Sequence, residues 1–221
     1  MFSDKRLTLF CGHYGSGKTN IAVNAAISLK EKYQNVALAD LDIVNPYFRT
    51  KDSSQLLLEK GIRLICSTYA NSNVDIPALP QDMYAITDDR SLRCVLDIGG
   101  DDRGALVLGR ISEKIVEEND YQMLMVINSF RPLTRDTDST MEVLAEIETA
   151  AKMKFTGLVN NSNLGEETTA EDIINSMSYA EKVSKACNLP IVATTVKAEL
   201  YDSLCGKIPN LFPLKLQDKI L

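Results

Sequence analysis

Short apolar runs alternate along the chain with longer stretches in which apolar residues return at helical spacing. Runs that are apolar on both faces suit strands buried inside a sheet, and the longer pattern suits amphipathic helices. Leu7–Cys11, Asn35–Leu41, Arg63–Cys66, Arg93–Ile98, Tyr121–Ile127, Phe155–Asn160 and Pro190–Thr195 read as strands, the last of these closing the series. Helices are predicted over Lys18–Lys32, where Ile21, Ala22, Ala25, Ala26 and Leu29 share a face, and over Ala105–Glu118, where Leu108, Ile111 and Ile115 align. A Ser139/Glu142 capping box opens a helix carrying Val143, Ile147 and Ala150. A Thr168/Glu171 box opens another, which aligns Ile173, Met177, Ala180 and Cys187. The alternation predicts a three-layer α/β fold, a mostly parallel central sheet with helices on both faces, as a single domain over residues 1–221. Residues 67–92 read as a loop excursion, and residues 197–221 as a C-terminal segment.

Parallel sheets of this kind hold ligands at the carboxyl ends of their strands. The unusual polar residues of this chain fall there: after Cys11, after Leu41, after Leu96 and after Val159. The long excursion between Ser67 and Arg90 is a further functional candidate, because loops of that length inside a compact domain are usually functional.

Composition narrows the field. A chain of 221 residues can bury about 70% of its extended surface and needs no disulfide or structural metal. Lys and Arg number 24 against 30 Asp and Glu, a balance that excludes coating nucleic acid through the net field. The five cysteines, Cys11, Cys66, Cys94, Cys187 and Cys205, form no C-x-x-C pair and read as reduced, mostly buried thiols. His13 is the only histidine, which leaves little for a histidine-based zinc site or a catalytic triad. No apolar stretch approaches the roughly 20 residues that span a bilayer, and Met1–Arg6 leads into no signal-like segment. The expectation is a cytoplasmic protein. The tail from Leu211 to Leu221 is weakly amphipathic, interrupted by Pro213, and reads as a docked segment rather than a membrane anchor.

Gly12-His13-Tyr14-Gly15-Ser16-Gly17-Lys18-Thr19 matches G-x-x-x-x-G-K-[ST] in full, between a predicted strand and a predicted helix. Glycines let the backbone curl so that successive amides point at phosphate oxygens, and the helix N-terminus adds partial positive charge. Lys18 is placed to reach the β- and γ-phosphates and Thr19 to ligate Mg²⁺. Gly12, Gly15, Ser16, Gly17, Lys18, Thr19 and Asn20 form the expected nucleotide cradle. Asp40 and Asp42 end the second strand on the same side. Asp97, followed by Ile98-Gly99-Gly100, ends another. Thr19, Asp40 and Asp97 are the candidate metal ligands, and Gly100 is a candidate backbone donor to the γ-phosphate. Lys18, Asp42 and Asp97 are the candidate catalytic residues.

Together these residues resemble the deviant-Walker, SIMIBI-class branch of P-loop ATPases, which includes the ParA and MinD partitioning ATPases, the nitrogenase iron protein and the CobQ/CobB and dethiobiotin synthetase groups. The resemblance covers Leu7 to about Val196. It implies that Asp42, in Asp40-Leu41-Asp42, orients the attacking water, and that Asp97-Ile98-Gly99-Gly100 is switch II. It also implies that Asn161, in Gly157-Leu158-Val159-Asn160-Asn161-Ser162, contacts adenine. The stretch Asp42–Arg49 resembles an uncharacterised bacterial group within the branch. The chain departs from the family where the signature lysine stands: that position is His13, followed by Tyr14. Unperturbed imidazole is mostly neutral at pH 7, so Arg49 and Arg103 are the candidates for the missing charge.

The expected function is a slow, Mg²⁺-dependent ATPase acting as a nucleotide switch, with a protein partner or small substrate not named by the sequence and a homodimer as one possibility. The alternative is an ATP-dependent enzyme that activates a small carboxylate. No nucleic-acid or membrane partner is expected. ATP is preferred to GTP because no N-K-x-D guanine motif is present.

Overall fold

Hydrophobic alternation builds a single sheet. A computed structural model describes residue 2 and residues 5–41, 54–66, 81–100 and 102–215. Eight strands lie in the order β3-β2-β4-β1-β5-β6-β7-β8: β1 Leu7–Cys11, β2 Val36–Leu41, β3 Arg63–Cys66, β4 Arg93–Ile98, β5 Tyr121–Ile127, β6 Gly157–Asn160, β7 Ile191–Lys197 and β8 Leu211–Leu214. Every pairing is parallel, so all the carboxyl ends meet on one rim.

Successive side chains feed opposite faces. Leu7, Leu9 and Cys11 of β1, Ala37, Ala39 and Leu41 of β2, and Cys94, Leu96 and Ile98 of β4 enter one core. That core is covered by α3 Ala85–Asp88, α4 Asp102–Leu108, α5 Ser112–Glu118, α6 Thr137–Ala151 and α7 Ala170–Cys187. Phe10, Leu38 and Val95 face the other side. There, α1 Lys18–Lys30 packs Ile21, Ala22, Ala25 and Ala26 onto the sheet beside Phe212 of β8. Leu57 of α2, Ser54–Glu59, joins this second core. A smaller cluster ties α8, Tyr201–Leu204, to Ile173, Val196, Ile208 and Leu211.

Four local expectations are corrected. The helix predicted over Ala105–Glu118 is two helices, α4 and α5. Tight turns from Arg110 N–H to Val107 O and from Ile111 N–H to Leu108 O close the first, and the Ser112 hydroxyl takes the Gly109 carbonyl at 3.0 Å. The backbone of α6 presses close there, since a Cβ on Gly109 would stand 2.9 Å from Ala150 O. Leu108, Ile111 and Ile115 still share one core. The caps lie elsewhere than predicted. Asp136 accepts Ser139 N–H at 2.9 Å and starts α6, and Thr169 with Asp172 boxes α7. Thr168 instead accepts Leu164 N–H at 2.8 Å and donates to Gly165 O.

The series does not end at Thr195, because Leu211–Leu214 adds an eighth strand at the sheet edge. An edge position tolerates Pro213, which has no N–H to give a further neighbour. Part of the expected excursion is helical: residues 81–84 form a 3₁₀ turn leading into α3, with Met83, Ile86 and Leu92 buried, while 67–80 lie outside the described residues. Asn24 of α1 fastens the chain beyond β8. Its Nδ2 donates to Lys215 O at 3.1 Å, and its Oδ1 accepts Lys215 N–H at 3.0 Å.

The amino end of the sheet is closed by a buried ion pair. Arg6 and Glu118, exposed only 4% and 6%, bond side to side. Arg6 also donates to the carbonyls of Ile86 and Leu92 at 2.9 and 3.1 Å. Burial alone would raise the Glu118 carboxyl. The bonds and charge of Arg6, with help from Arg90, more than reverse that and hold it below its ordinary value.

Candidate functional site

β1 ends at Cys11 and α1 begins at Lys18, so residues 12–17 curl over the carboxyl rim. The curl is drawn tight by Ser16 N–H donating to His13 O at 3.2 Å and by Lys18 Nζ donating to the same carbonyl at 3.2 Å. Lys18 is only 6% exposed, so its ammonium is held under the loop rather than in solvent. Gly17 sits at φ 89, in the left-handed region, and directly against the Asn161 carboxamide. A Cβ there would be strained and would overlap Asn161 Nδ2. Among the described residues the buried Ser16 hydroxyl finds no hydrogen-bond partner, an orphaned polar atom inside the cradle.

Strand parity brings the acids to the same place. Val95 faces α1, so Asp97, two residues on, does too; Leu38 and Asp40 follow the same rule on β2. Asp40 and Asp97 are paired across the two strands, and they are 6% and 1% exposed. The Thr19 hydroxyl, in the first turn of α1, donates to Asp97 Oδ2 at 2.6 Å. This set of hydroxyl and carboxylate oxygens is hard and suits Mg²⁺, which takes oxygen ligands and keeps several waters. Thr19 and Asp97 would hold such an ion, with Asp40 beside them. Asn20 lies half-buried in α1, its carbonyl accepting Asn24 Nδ2 at 2.8 Å.

Gly100 also reaches the loop. A Cβ on it would stand 2.5 Å from Tyr14 N, so the segment after β4 lies directly on the His13–Tyr14 backbone. Asp42 and Arg49 lie outside the described residues, as does the Arg103 side chain.

Asn161, the expected base contact, joins the loop to the sheet. Its side chain is buried, 2% exposed, and engaged at both ends. Nδ2 donates to Ser16 O at 2.5 Å, and Oδ1 accepts from the Thr195 hydroxyl of β7. The amide ties the Gly12–Thr19 loop to β7. Cys11, at the root of the loop, has its thiol pushed far up by burial. The nearby Lys18 opposes that shift, and Asp97 adds to it. Cys11 is therefore a neutral packing group rather than a nucleophile.

Two contributors were not anticipated from sequence. Thr195 is the far anchor of the clamp. Arg131, in the segment leaving β5, lies over Gly15: a Cβ on Gly15 would be 3.6 Å from Arg131 Nε. Applying the strand-end rule to β5 as well as to its neighbours would have found Asn128-Ser129-Phe130-Arg131.

No protein-family model matches the chain, and no curated protein matches it. Solved structures do. The chain is similar to FtsY from Thermotoga maritima, with 20% identity, a TM-score of 0.57, and coverage of 89% of this chain and 63% of that one. It is similar to the signal recognition particle 54 kDa protein from Aeropyrum pernix in complex with GDP (14%, 0.53, 88% and 42%). It is similar, too, to the signal recognition particle receptor FtsY from Elizabethkingia anophelis in complex with GDP (15%, 0.52, 89% and 58%). The fold is that of the P-loop NTPases. This chain spans between about two fifths and two thirds of the length of those relatives. Among the described residues no helix is long and apolar enough to cross a membrane.

Proposed function

We propose that the chain binds a Mg²⁺–nucleoside triphosphate, with ATP as its nucleotide, and hydrolyses it slowly as a conformational switch. The observation that carries this reading is the Gly12–Thr19 loop seated between β1 and α1, with the Thr19 hydroxyl bonded to the buried Asp97 carboxylate. Lys18 and the loop amides would take the β- and γ-phosphates. A magnesium ion would neutralise developing charge on those oxygens. Gly100, against the loop, is the element that a γ-phosphate would displace or order, which is how a switch couples hydrolysis to shape. Asp42 is proposed as the residue that orients the attacking water.

ATP is chosen over GTP because Asn161-Ser162-Asn163-Leu164 carries no acid to accept the ring and amino N–H groups of guanine. Two of the similar structures were solved with GDP, so the test compares the two bases. Mg²⁺-ATP and Mg²⁺-GTP are titrated into the protein and into Lys18→Ala. We expect Mg²⁺-dependent binding, tighter for ATP, that falls at least tenfold in Lys18→Ala, the loss of a charge-assisted contact being worth about 1.5–3 kcal/mol. No Mg²⁺-dependent affinity, or an unaffected Lys18→Ala, ends the reading. A preference for GTP overturns the choice of base alone.

A further inference from the structure

The chain lacks the signature lysine, and the structure holds a different cation at the loop. Residues 128–134 leave the carboxyl end of β5 in a tightly bonded turn. Asn128, fully buried, accepts Phe130 N–H on Oδ1 at 3.0 Å. Its carbonyl accepts Arg131 N–H at 3.1 Å and the Thr134 hydroxyl at 2.8 Å. Thr134 N–H returns to Arg131 O at 3.1 Å, and Ser129 N–H donates to the Ser162 hydroxyl at 3.0 Å. Pro132 restricts the backbone that follows. The main chain of Arg131 is thus gripped on both sides.

The side chain lies back over the phosphate loop. Its Nε would stand 3.6 Å from a Cβ on Gly15, and its Cδ and Cζ 3.8 Å. Among the described residues Arg131 enters no ion pair. The guanidinium lies at Gly15, in the loop that leads into the N-terminus of α1, whose partial positive charge favours anions. A polyanion seated on that loop would be attracted by this second charge. Arg131 is also better shaped than a lysine for the task, because its planar fork binds phosphate oxygens in pairs.

We propose that Arg131 is a phosphate-binding residue of the nucleotide site, supplying from within the same chain the second cation that the family pattern would place at His13. This rests on the proposed nucleotide function and adds one residue to it. Lys18 and Arg131 would grip the polyphosphate from below and above the loop.

The test measures Mg²⁺-ATP affinity over a range of salt concentrations for the wild type, Arg131→Ala, Arg131→Lys and Lys18→Ala, with thermal melts to verify folding. Arg131→Ala should weaken binding about tenfold or more, make log Kd less steeply dependent on salt, and leave the melting temperature of the nucleotide-free protein unchanged. Arg131→Lys should recover most of the affinity. Wild-type affinity and salt dependence in Arg131→Ala would overturn the proposal. A loss of affinity that Arg131→Lys does not relieve, accompanied by a lower melting temperature, would overturn it as well, marking the residue as structural. If Lys18→Ala loses affinity while Arg131→Ala does not, the nucleotide site stands and only the role of Arg131 falls. If the wild type shows no affinity, both fall.

Discussion

Removing the Asn161 carboxamide should loosen the phosphate loop and cost stability together. In Asn161→Ala the Ser16 carbonyl, bonded at 2.5 Å, loses its donor inside the protein, at about 1–3 kcal/mol for a stranded buried acceptor. The Thr195 hydroxyl also loses an acceptor. It retains the Asn160 carbonyl at 3.4 Å, so this second loss should be nearer ~1 kcal/mol. The expected sum is about 2–4 kcal/mol, a large part of the ~5–15 kcal/mol that holds a domain together. Urea denaturation of the nucleotide-free protein should show the midpoint moving with the slope unchanged. Thr195→Val should cost only ~1 kcal/mol, and the double variant should cost less than the sum of the singles because the two side chains share one bond. Mg²⁺-ATP affinity should fall in Asn161→Ala as the loop amides lose their fixed aim. A stability within about 0.5 kcal/mol of wild type, together with a selective loss of discrimination between adenine and guanine, would refute the clamp and return Asn161 to a base contact.

Two further outcomes follow from the buried titratable groups. Glu118 is held below its ordinary value in the folded protein. Its stabilisation is therefore present above the unfolded carboxylate pKa of about 4.3 and fades as pH falls through the lower folded value. Glu118→Gln should cost about 3 kcal/mol at neutral pH by stranding the Arg6 cation. The gap to wild type should narrow in acid denaturation series below pH ~4, and a gap independent of pH would show that the carboxylate charge is not what Arg6 needs. Among the four cysteines whose side chains are described, Cys94 has its thiol pushed up to about 12 by burial, Cys11 is raised in the same way, and Cys205 is exposed. A maleimide pulse read by peptide mass mapping should label Cys205 first and reach Cys11 and Cys94 only in denaturant. Rapid labelling of Cys11 in the folded protein would contradict its assignment as an inert packing group.

Most of the sheet was legible in the sequence, because β1, β2, β4, β5 and β6 are buried along nearly their whole length and their composition carries the signal without help from neighbours. Leu7–Cys11 and Arg93–Ile98 have the same ends in the sequence reading and in the structure. The Gly12–Thr19 loop between β1 and α1 was equally plain, since Gly12, Gly15 and Gly17 all take positive φ, where glycine is favoured. What escaped depended on contacts between distant segments. Gly109 ends α4 in a turn packed under α6, which periodicity across Leu108, Ile111 and Ile115 does not report. Thr168 and Thr169 are both plausible caps, and the choice between them turns on Thr168 being used to fold the preceding loop. β8 was hidden by Pro213, which argues against a central strand but not against an edge. The bond from Thr195 to Asn161 was illegible for a related reason: Thr195 comes from a strand 34 positions away.

The reciprocal bonds between Asn24 and Lys215 make α1 a lever with two attachments. One end carries Lys18 and Thr19. Asn24 lies six residues further on, about 9 Å along the axis at 1.5 Å per residue, and there the helix grips the chain leaving β8 at the sheet edge. A helix is stiff over that distance, so any tilt imposed at its first turn by an incoming anion arrives at Lys215 as a displacement of main chain. The main chain at Lys215 is, mechanically, attached to the helix that carries Lys18 and Thr19.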